Sequence, residues 1–168
     1  MSASVKIINR FSKEDIQVAP SYERGKIHFL KRMAYACLFY GRIANFNEPV
    51  KHVASNVRDK EAFEDIIQTL KRQSEKVTLL FTGPLTDLAK ALQKDSSIVQ
   101  YIEKLVWMGG TFLPKGNVEE PEHDGSAEWN AYWDPEAVKI VFDSDIEIDM
   151  VALESTNQVP LTLDVRQR

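Results

Sequence analysis

The feature that most constrains the fold is an alternation of short apolar runs and amphipathic helical patterns between residues 76 and 153. Three of the runs have the length and β-branched content of strands: Lys76–Phe81, Lys104–Met108 and Ile146–Leu153. Because helical segments lie between successive runs, the connections are expected to be right-handed crossovers between parallel strands. The pattern predicts an α/β fold with a mostly parallel sheet flanked by helices.

Helices are predicted where apolar residues recur at steps of three and four. Asp59–Arg72 precedes the first strand, Leu85–Leu92 follows it, and a short helix near Ser97–Glu103 leads into the second strand. Pro84 is expected at the first position of the helix after it. Asp134 is expected to cap the next helix, with Pro135 at its first position.

Residues 1–60 have weaker patterns. Val5–Ile8 and Ile16–Ala19 have the composition of short strands, and Ile27–Tyr40 is apolar enough to be partly helical. The whole chain of 168 residues, with 43% hydrophobic residues, has the size of one ordinary globular domain. We therefore treat residues 1–168 as a single domain.

Charge and cysteine content exclude several classes of function. A formal charge of -4 gives no overall attraction to nucleic acid or to an anionic membrane. The single cysteine, Cys37, excludes an intrachain disulfide and a zinc site made of cysteines alone. No apolar run approaches the roughly 20 residues that span a bilayer, and the start lacks the apolar centre of a secretory signal. A cytoplasmic location is the expectation.

Ligands of open parallel sheets bind at the carboxyl ends of the strands. Three segments are expected at that edge: Phe81–Pro84, Met108–Gly110 and Glu154–Asn157. Their glycines would let the backbone approach a ligand closely, and the helix after Pro84 would direct its amide end to the same edge. Glycines that only form tight turns are an equally good interpretation at this point.

The segment Thr111–Trp133 is predicted to be a long loop, and its polar content suggests a binding role. Carboxylates and amides can bind sugar hydroxyls, and aromatic faces can stack on rings. The alternative is a solvated acidic loop anchored by buried tryptophans, which we favour for Glu119, Glu120 and Glu122. His123 lies among acidic residues without the spacing of a metal site and is expected at the surface.

Several motifs in this region resemble those of the inosine–uridine-preferring nucleoside hydrolases. LLFTGPLTDLA at Leu79–Ala89 resembles the family's (T/V)GPLTNLA segment, and KLVWMGG at Lys104–Gly110 resembles its next strand. Gly116-Asn117 and AEWNAYWDPEA at Ala127–Ala137 resemble the signature GN…AEFNxxxDPEAA. Val151–Gln158 is similar to a strand end that usually reads DVT. The resemblance covers roughly residues 76–160 and follows the family's order.

The resemblance implies a Rossmann-like fold and a Ca²⁺-dependent cleavage of the N-glycosidic bond of ribonucleosides, as in purine and pyrimidine salvage. It implies that Asn117 and Glu128 bind ribose toward its 5′ end and that Asn130 binds the 2′/3′ side. Met108 would line the floor under the ribose. The backbone carbonyl of Thr82 would be one calcium ligand, since calcium prefers oxygen donors.

Two differences from the family argue against hydrolytic activity of this chain alone. No DxDxxxDD string occurs in it, although the family takes most calcium ligands and its water-activating base from such a loop. The family's later segment, with a further Asp ligand, is not reached before Arg168. No catalytic residue is therefore assigned, and the chain is expected to be an inactive central fragment. Glu154 stands where the family often has Asp.

Three hypotheses follow. The first is a fragment or split half of a calcium-dependent nucleoside hydrolase. The second is a non-catalytic nucleoside- or ribose-binding module, and the third is a structural or interaction domain with a solvated loop. The expected partner is a ribonucleoside, together with a second copy of the chain or a complementary chain.

Overall fold

The computed structural model describes residues 60–160 and the isolated positions 17, 19 and 21. The strand and helix predictions for Val5–Ile8, Ile16–Ala19 and Ile27–Tyr40 therefore lie outside the described residues. The exceptions are Gln17 and Ala19, which are in neither a helix nor a strand.

Three parallel strands form the sheet of the described region, in the order β1 (Val77–Phe81), β2 (Ile102–Met108) and β3 (Ile148–Val151). The predicted α/β fold with a parallel sheet is confirmed. Four strand boundaries were wrong by one or two residues. β1 begins at Val77 and not at Lys76, and β3 begins at Ile148 and not at Ile146. β2 begins at Ile102, two residues before the predicted start, because Ile102 is already extended and buried in the core. β3 ends at Val151, and a helix begins at Leu153.

Helices alternate with the strands as predicted, although their bounds differ. The helix predicted over Asp59–Arg72 spans Ala62–Lys71, and the one predicted over Leu85–Leu92 spans Thr86–Lys94. The expected helix at Ser97–Glu103 is a 3-10 helix over Ser96–Tyr101. Pro84 does not open a helix, since the fully buried Leu85 takes the N-cap position. No helix of the described residues is long and apolar enough to cross a membrane. The α-helices are α1 (Ala62–Lys71), α2 (Thr86–Lys94), α3 (Trp129–Trp133), α4 (Pro135–Phe142) and α5 (Leu153–Thr156).

The start of α4 follows the sequence prediction. Asp134 is its N-cap, and one carboxylate oxygen, Oδ1, accepts a hydrogen bond from the backbone N–H of Ala137 at 3.0 Å. Pro135 occupies the first helical turn, where its missing N–H is not needed. The other carboxylate oxygen of Asp134 accepts from the hydroxyl of Thr86 at 2.9 Å. Asp134 therefore also ties α4 to the beginning of α2.

The core lies between the sheet and the helices α1, α2 and α4. Its largest fully buried side chain is Trp107 of β2. The indole N–H of Trp107 donates to the carbonyl oxygen of Gly83 at 3.0 Å, which satisfies the one polar group of this buried ring. This bond fastens the turn after β1 to the centre of the sheet, next to the edge where a ligand is expected.

Candidate functional site

The carboxyl edge of the sheet brings Thr82 and Met108 to the same side of the molecule. Phe81 is the register partner of Trp107, so the residues that follow them, Thr82 and Met108, lie at one edge. Thr82 is exposed and Met108 is half-buried. The turn that carries Thr82 is held by the bond between Gly83 and Trp107. Its backbone is therefore positioned by the core.

Asn130 is joined directly to Met108, although 22 residues separate them in the sequence. The side-chain nitrogen of Asn130 donates to the carbonyl oxygen of Met108 at 2.9 Å and lies 3.3 Å from its sulfur. Asn130 is only 8% exposed, so this hydrogen bond satisfies a buried amide. The structure thus places these two predicted ribose-binding residues side by side, on α3 and at the end of β2.

Glu128 is the N-cap of α3, a role that the sequence analysis missed. One of its carboxylate oxygens, Oε2, accepts from three backbone N–H groups: Gly110 at 2.8 Å, Asn130 at 2.9 Å and Ala131 at 3.2 Å. The side chain is 2% exposed, and a buried carboxylate requires such charge-assisted bonds. Glu128 therefore connects the helix that carries Asn130 to the segment that follows Met108.

Asn117 lies beside the start of α3 and is exposed. Its side-chain oxygen accepts from the N–H of Trp129 at 3.0 Å, and its own N–H donates to the carbonyl oxygen of Ala127 at 2.9 Å. A Cβ on the preceding residue, Gly116, would lie 1.9 Å from the same carbonyl oxygen. The backbone of Gly116 and Asn117 therefore lies close against that of Ala127, which holds Asn117 next to Glu128 and Asn130.

The predicted long loop Thr111–Trp133 is only partly irregular, because its last five residues form α3. Glu119 and Glu122 are exposed, as the solvated interpretation predicts, whereas Glu120 is half-buried. His123, expected at the surface, is half-buried. Its Nδ1 accepts from the N–H of Gly125 at 2.9 Å, and its ring packs edge-on against Tyr132 at 4.7 Å, so His123 helps to shape the loop.

Glu154 makes a second set of contacts that its position in the sequence does not reveal. Its Oε1 accepts from the hydroxyl of Thr111 and from the backbone N–H groups of Phe112 at 3.1 Å and Leu113 at 3.0 Å. The hydroxyl of Thr111, followed by the backbone N–H groups of Glu154 itself, Leu113 and Phe112, lowers the pKa of Glu154 below its ordinary value. Glu154 therefore binds the segment after β2 as a carboxylate.

The described residues do not form a metal site on their own. Among residues 60–160 there is no group of three or more His, Cys, Asp or Glu side chains placed to hold a metal ion. Calcium takes six to eight oxygen ligands, and the carbonyl of Thr82 would supply one. Residues 60–160 thus supply too few oxygen ligands for a calcium ion, and the remaining ligands would have to come from outside this region.

Comparison with known proteins gives a consistent result. The family model described as "Inosine-uridine preferring nucleoside hydrolase" matches residues 3–168. The chain is 39% identical over 106 residues to uridine nucleosidase 1 of Arabidopsis thaliana, covering 63% of this chain and 30% of that protein. It is 45% identical over 106 residues to the non-specific ribonucleoside hydrolase RihC of Escherichia coli (strain SMS-3-5 / SECEC), covering 63% and 33%.

A solved structure extends this similarity to the fold. The crystal structure of the inosine-uridine preferring nucleoside hydrolase from Bacillus anthracis superposes with a TM-score of 0.85 at 54% sequence identity. The match covers 99% of this chain and 55% of the Bacillus chain. The chain therefore spans about half the length of this structural relative and about a third of the two sequence relatives.

Proposed function

The chain belongs to the inosine-uridine preferring nucleoside hydrolase family, and we propose that the protein hydrolyses the N-glycosidic bond of ribonucleosides to ribose and free base. The observation that carries this proposal is the hydrogen bond between Asn130 and the carbonyl of Met108. It brings together two residues that the resemblance assigns to ribose binding, at the carboxyl edge of a parallel sheet, where such folds bind their ligands.

Three polar side chains bind the ribose in this proposal. Asn130 already donates through its nitrogen to Met108, so its oxygen accepts from a 2′ or 3′ hydroxyl. Glu128 uses Oε2 for the backbone, and Oε1 accepts from a hydroxyl nearer the 5′ end. Asn117 binds on the same 5′ side through its side-chain nitrogen, since its oxygen holds Trp129. Met108 lies beneath the sugar.

The reaction places a positive charge on the ribose ring in its transition state. The bond between the anomeric carbon and the base breaks, a water oxygen bonds to that carbon, and the departing base receives a proton. A fixed carboxylate such as Glu128 and the amide dipoles of Asn117 and Asn130 stabilise the oxocarbenium-like ring electrostatically. Because Glu128 and Asn130 are held by backbone contacts, little reorganisation is needed when that charge develops.

Calcium dependence is the part of the proposal that residues 60–160 cannot supply. The Thr82 carbonyl is one proposed ligand, and the others would come from outside the described residues. Because no DxDxxxDD string occurs in the sequence, the chain alone is proposed to lack hydrolytic activity. A cytoplasmic location and a role in nucleoside salvage belong to the same proposal.

A chimera tests the activity. Residues 3–168 of this chain would replace the matched region of the Bacillus anthracis protein, which is 54% identical over that match. We expect the chimera to release ribose from inosine or uridine and Asn130→Ala to slow that release about ten- to a hundred-fold, as expected for a lost contact to a charged transition state. Glu122→Ala, at an exposed carboxylate, is the control. A folded chimera without activity would contradict the proposal.

A non-catalytic module for nucleosides or ribose is the second candidate. It is favoured by the absence of a metal-holding cluster among the described residues. This candidate predicts that the 168-residue chain binds ribose equally well with calcium and with a chelator. Titration calorimetry under both conditions, together with the chimera assay, separates the two functions. Binding without activity in the chimera would favour the module.

A further inference from the structure

The segment Gly109–Leu113, which we call the post-β2 segment, is held by carboxylates on two different elements. Its first part continues the sheet ladder, because Gly109 N–H donates to Val151 at 3.3 Å and the Gly110 carbonyl accepts from Leu153 at 3.0 Å. From the side of α3, Glu128 accepts from the N–H of Gly110. From α5, Glu154 accepts from Thr111, Phe112 and Leu113.

Packing of side chains does little to hold the far end of the post-β2 segment. The side chains of Phe112 and Leu113 are 77% and 59% exposed, so they bury little apolar surface. The hydrogen bonds of their N–H groups to Glu154 take the place of that packing. Three donors on one carboxylate oxygen are strong bonds, because the acceptor carries a full charge.

The near end of the segment has little freedom to adjust. A Cβ on Gly109 would lie 2.1 Å from the ring of Trp107, which shows how closely the backbone crosses that ring. Gly110 has a φ of 71°, in the left-handed region that favours glycine. The orientation of the Gly110 N–H toward Glu128 thus depends on a tight backbone path, and that path continues directly into Thr111.

We propose that Glu154 is a positioning residue for the ribose site: by holding Thr111–Leu113 it keeps the Gly110 N–H on Glu128, and thereby orients Glu128 and Asn130 toward the sugar. The side chain of Glu154 hydrogen-bonds to Thr111, Phe112 and Leu113 and not to Glu128 or Asn130, so it acts through the post-β2 segment. The Oε2 of Glu154 is buried without a hydrogen-bond partner among the described residues, so its carboxylate is committed to this segment through Oε1. The inference rests on the proposed ribose-binding function.

The test compares Glu154→Ala and Glu154→Gln with the control Glu119→Ala, which removes an exposed carboxylate from the loop after the post-β2 segment. Amide hydrogen exchange is measured by NMR at Gly110, Phe112 and Leu113, and ribose affinity is measured by calorimetry. We expect Glu154→Ala to speed exchange at all three amides and to weaken ribose binding, each about tenfold or more. Glu154→Gln keeps an acceptor oxygen, so its amide exchange and its ribose affinity should lie between those of wild type and Glu154→Ala.

The outcomes are distinguishable. Faster exchange at Phe112 and Leu113 with unchanged ribose affinity would overturn the positioning role and leave a structural one. Unchanged exchange at Gly110 would overturn it as well, because the link to Glu128 would be absent. If the wild-type chain binds no ribose, the non-catalytic binding module is contradicted and the chimera assay decides the hydrolase proposal. Exchange at Gly110 alone then decides whether Glu154 positions that amide.

Discussion

The side-chain nitrogen of Asn130 lies 2.9 Å from the carbonyl oxygen of Met108, and this hydrogen bond determines which atom of Asn130 can bind a ligand. The nitrogen is committed to the last residue of β2, so the oxygen is the atom available in our proposal for a ribose hydroxyl. The bond also fixes α3, a helix of only five residues, against the sheet edge. A short helix has little stability of its own, and contacts of this kind maintain it.

Replacing Asn130 by Asp should therefore destabilise the protein as well as weaken ribose binding. The new carboxylate oxygen would face the Met108 carbonyl where a donor is needed, in a site that is 8% exposed. Leaving a buried acceptor unpaired costs about 1–3 kcal/mol, and more for a charged group. Urea unfolding should show a loss in that range. Asn117→Asp, at an exposed position, is the matched control and should change the free energy of unfolding by less.

Two glycines provide a test of the loop geometry with an internal control. A Cβ at Gly116 would lie 1.9 Å from the carbonyl oxygen of Ala127, whereas a Cβ at Gly83 would meet nothing within 4 Å. We expect Gly116→Ala to lower the free energy of unfolding by about 1–3 kcal/mol, the range of steric overpacking. We expect Gly83→Ala to be neutral or slightly stabilising. Equal effects of the two substitutions would contradict the close approach of residues 116 and 127.

Glu154 should make part of the stability dependent on pH. Its pKa in the folded protein is lowered from the ordinary value of 4.5, first by the Thr111 hydroxyl and then by backbone N–H groups. A carboxyl group with a lowered folded pKa stabilises the protein fully above its unfolded pKa, and this contribution is lost as the pH falls through the folded pKa. The stability difference between wild type and Glu154→Gln should thus be largest near neutral pH and shrink below about pH 4.5.

Denaturant unfolding of both proteins between pH 7 and pH 3 measures this difference. If the difference in unfolding free energy is the same at every pH, the Glu154 carboxylate is not stabilised by its contacts with residues 111–113. Asp124→Asn is a useful comparison, because the pKa of Asp124 is also lowered, mainly by Ser126, but its contacts remain within the loop. The difference in unfolding free energy between wild type and Asp124→Asn should also shrink as the pH falls. Amide exchange at Gly110 should be unchanged in this variant.

Local chemistry made some of these features predictable from sequence. The cap at Asp134 was predictable because its partner lies three residues away and Pro135 reinforces the same boundary. The alternation of strands and helices was predictable because the strands are short apolar runs, whereas the helices have apolar residues at steps of three and four. The roles of Glu128 toward Gly110 and of Glu154 toward Phe112 were not, because these bonds span 18 and 42 residues.

The same distinction explains the errors in element boundaries. Ile102 was assigned to a helical pattern, yet its burial in the core makes it the first residue of β2. Leu85 looked like the interior of a helix, yet complete burial of its side chain accompanies a non-helical N-cap backbone. In both cases the boundary follows the burial of the side chain in the core and not the apolar spacing that predicted the helix. The ribose-binding roles of Asn117, Glu128 and Asn130 stay predictions, although the structure brings these residues together.

The last prediction concerns calcium. A metal ion that activates water needs several carboxylates around it, and residues 60–160 contain no cluster of three or more metal-binding side chains. Because the sequence also lacks a DxDxxxDD string, we expect the 168-residue chain alone to release no ribose from inosine or uridine, with added calcium or with a chelator. The chimera with the Bacillus anthracis protein should release ribose only when calcium is present. A reducing-sugar assay on both proteins under both conditions makes the comparison. Calcium-dependent turnover by the chain alone would contradict the prediction, because residues 1–59 or 161–168 would then have to complete the metal site around Thr82.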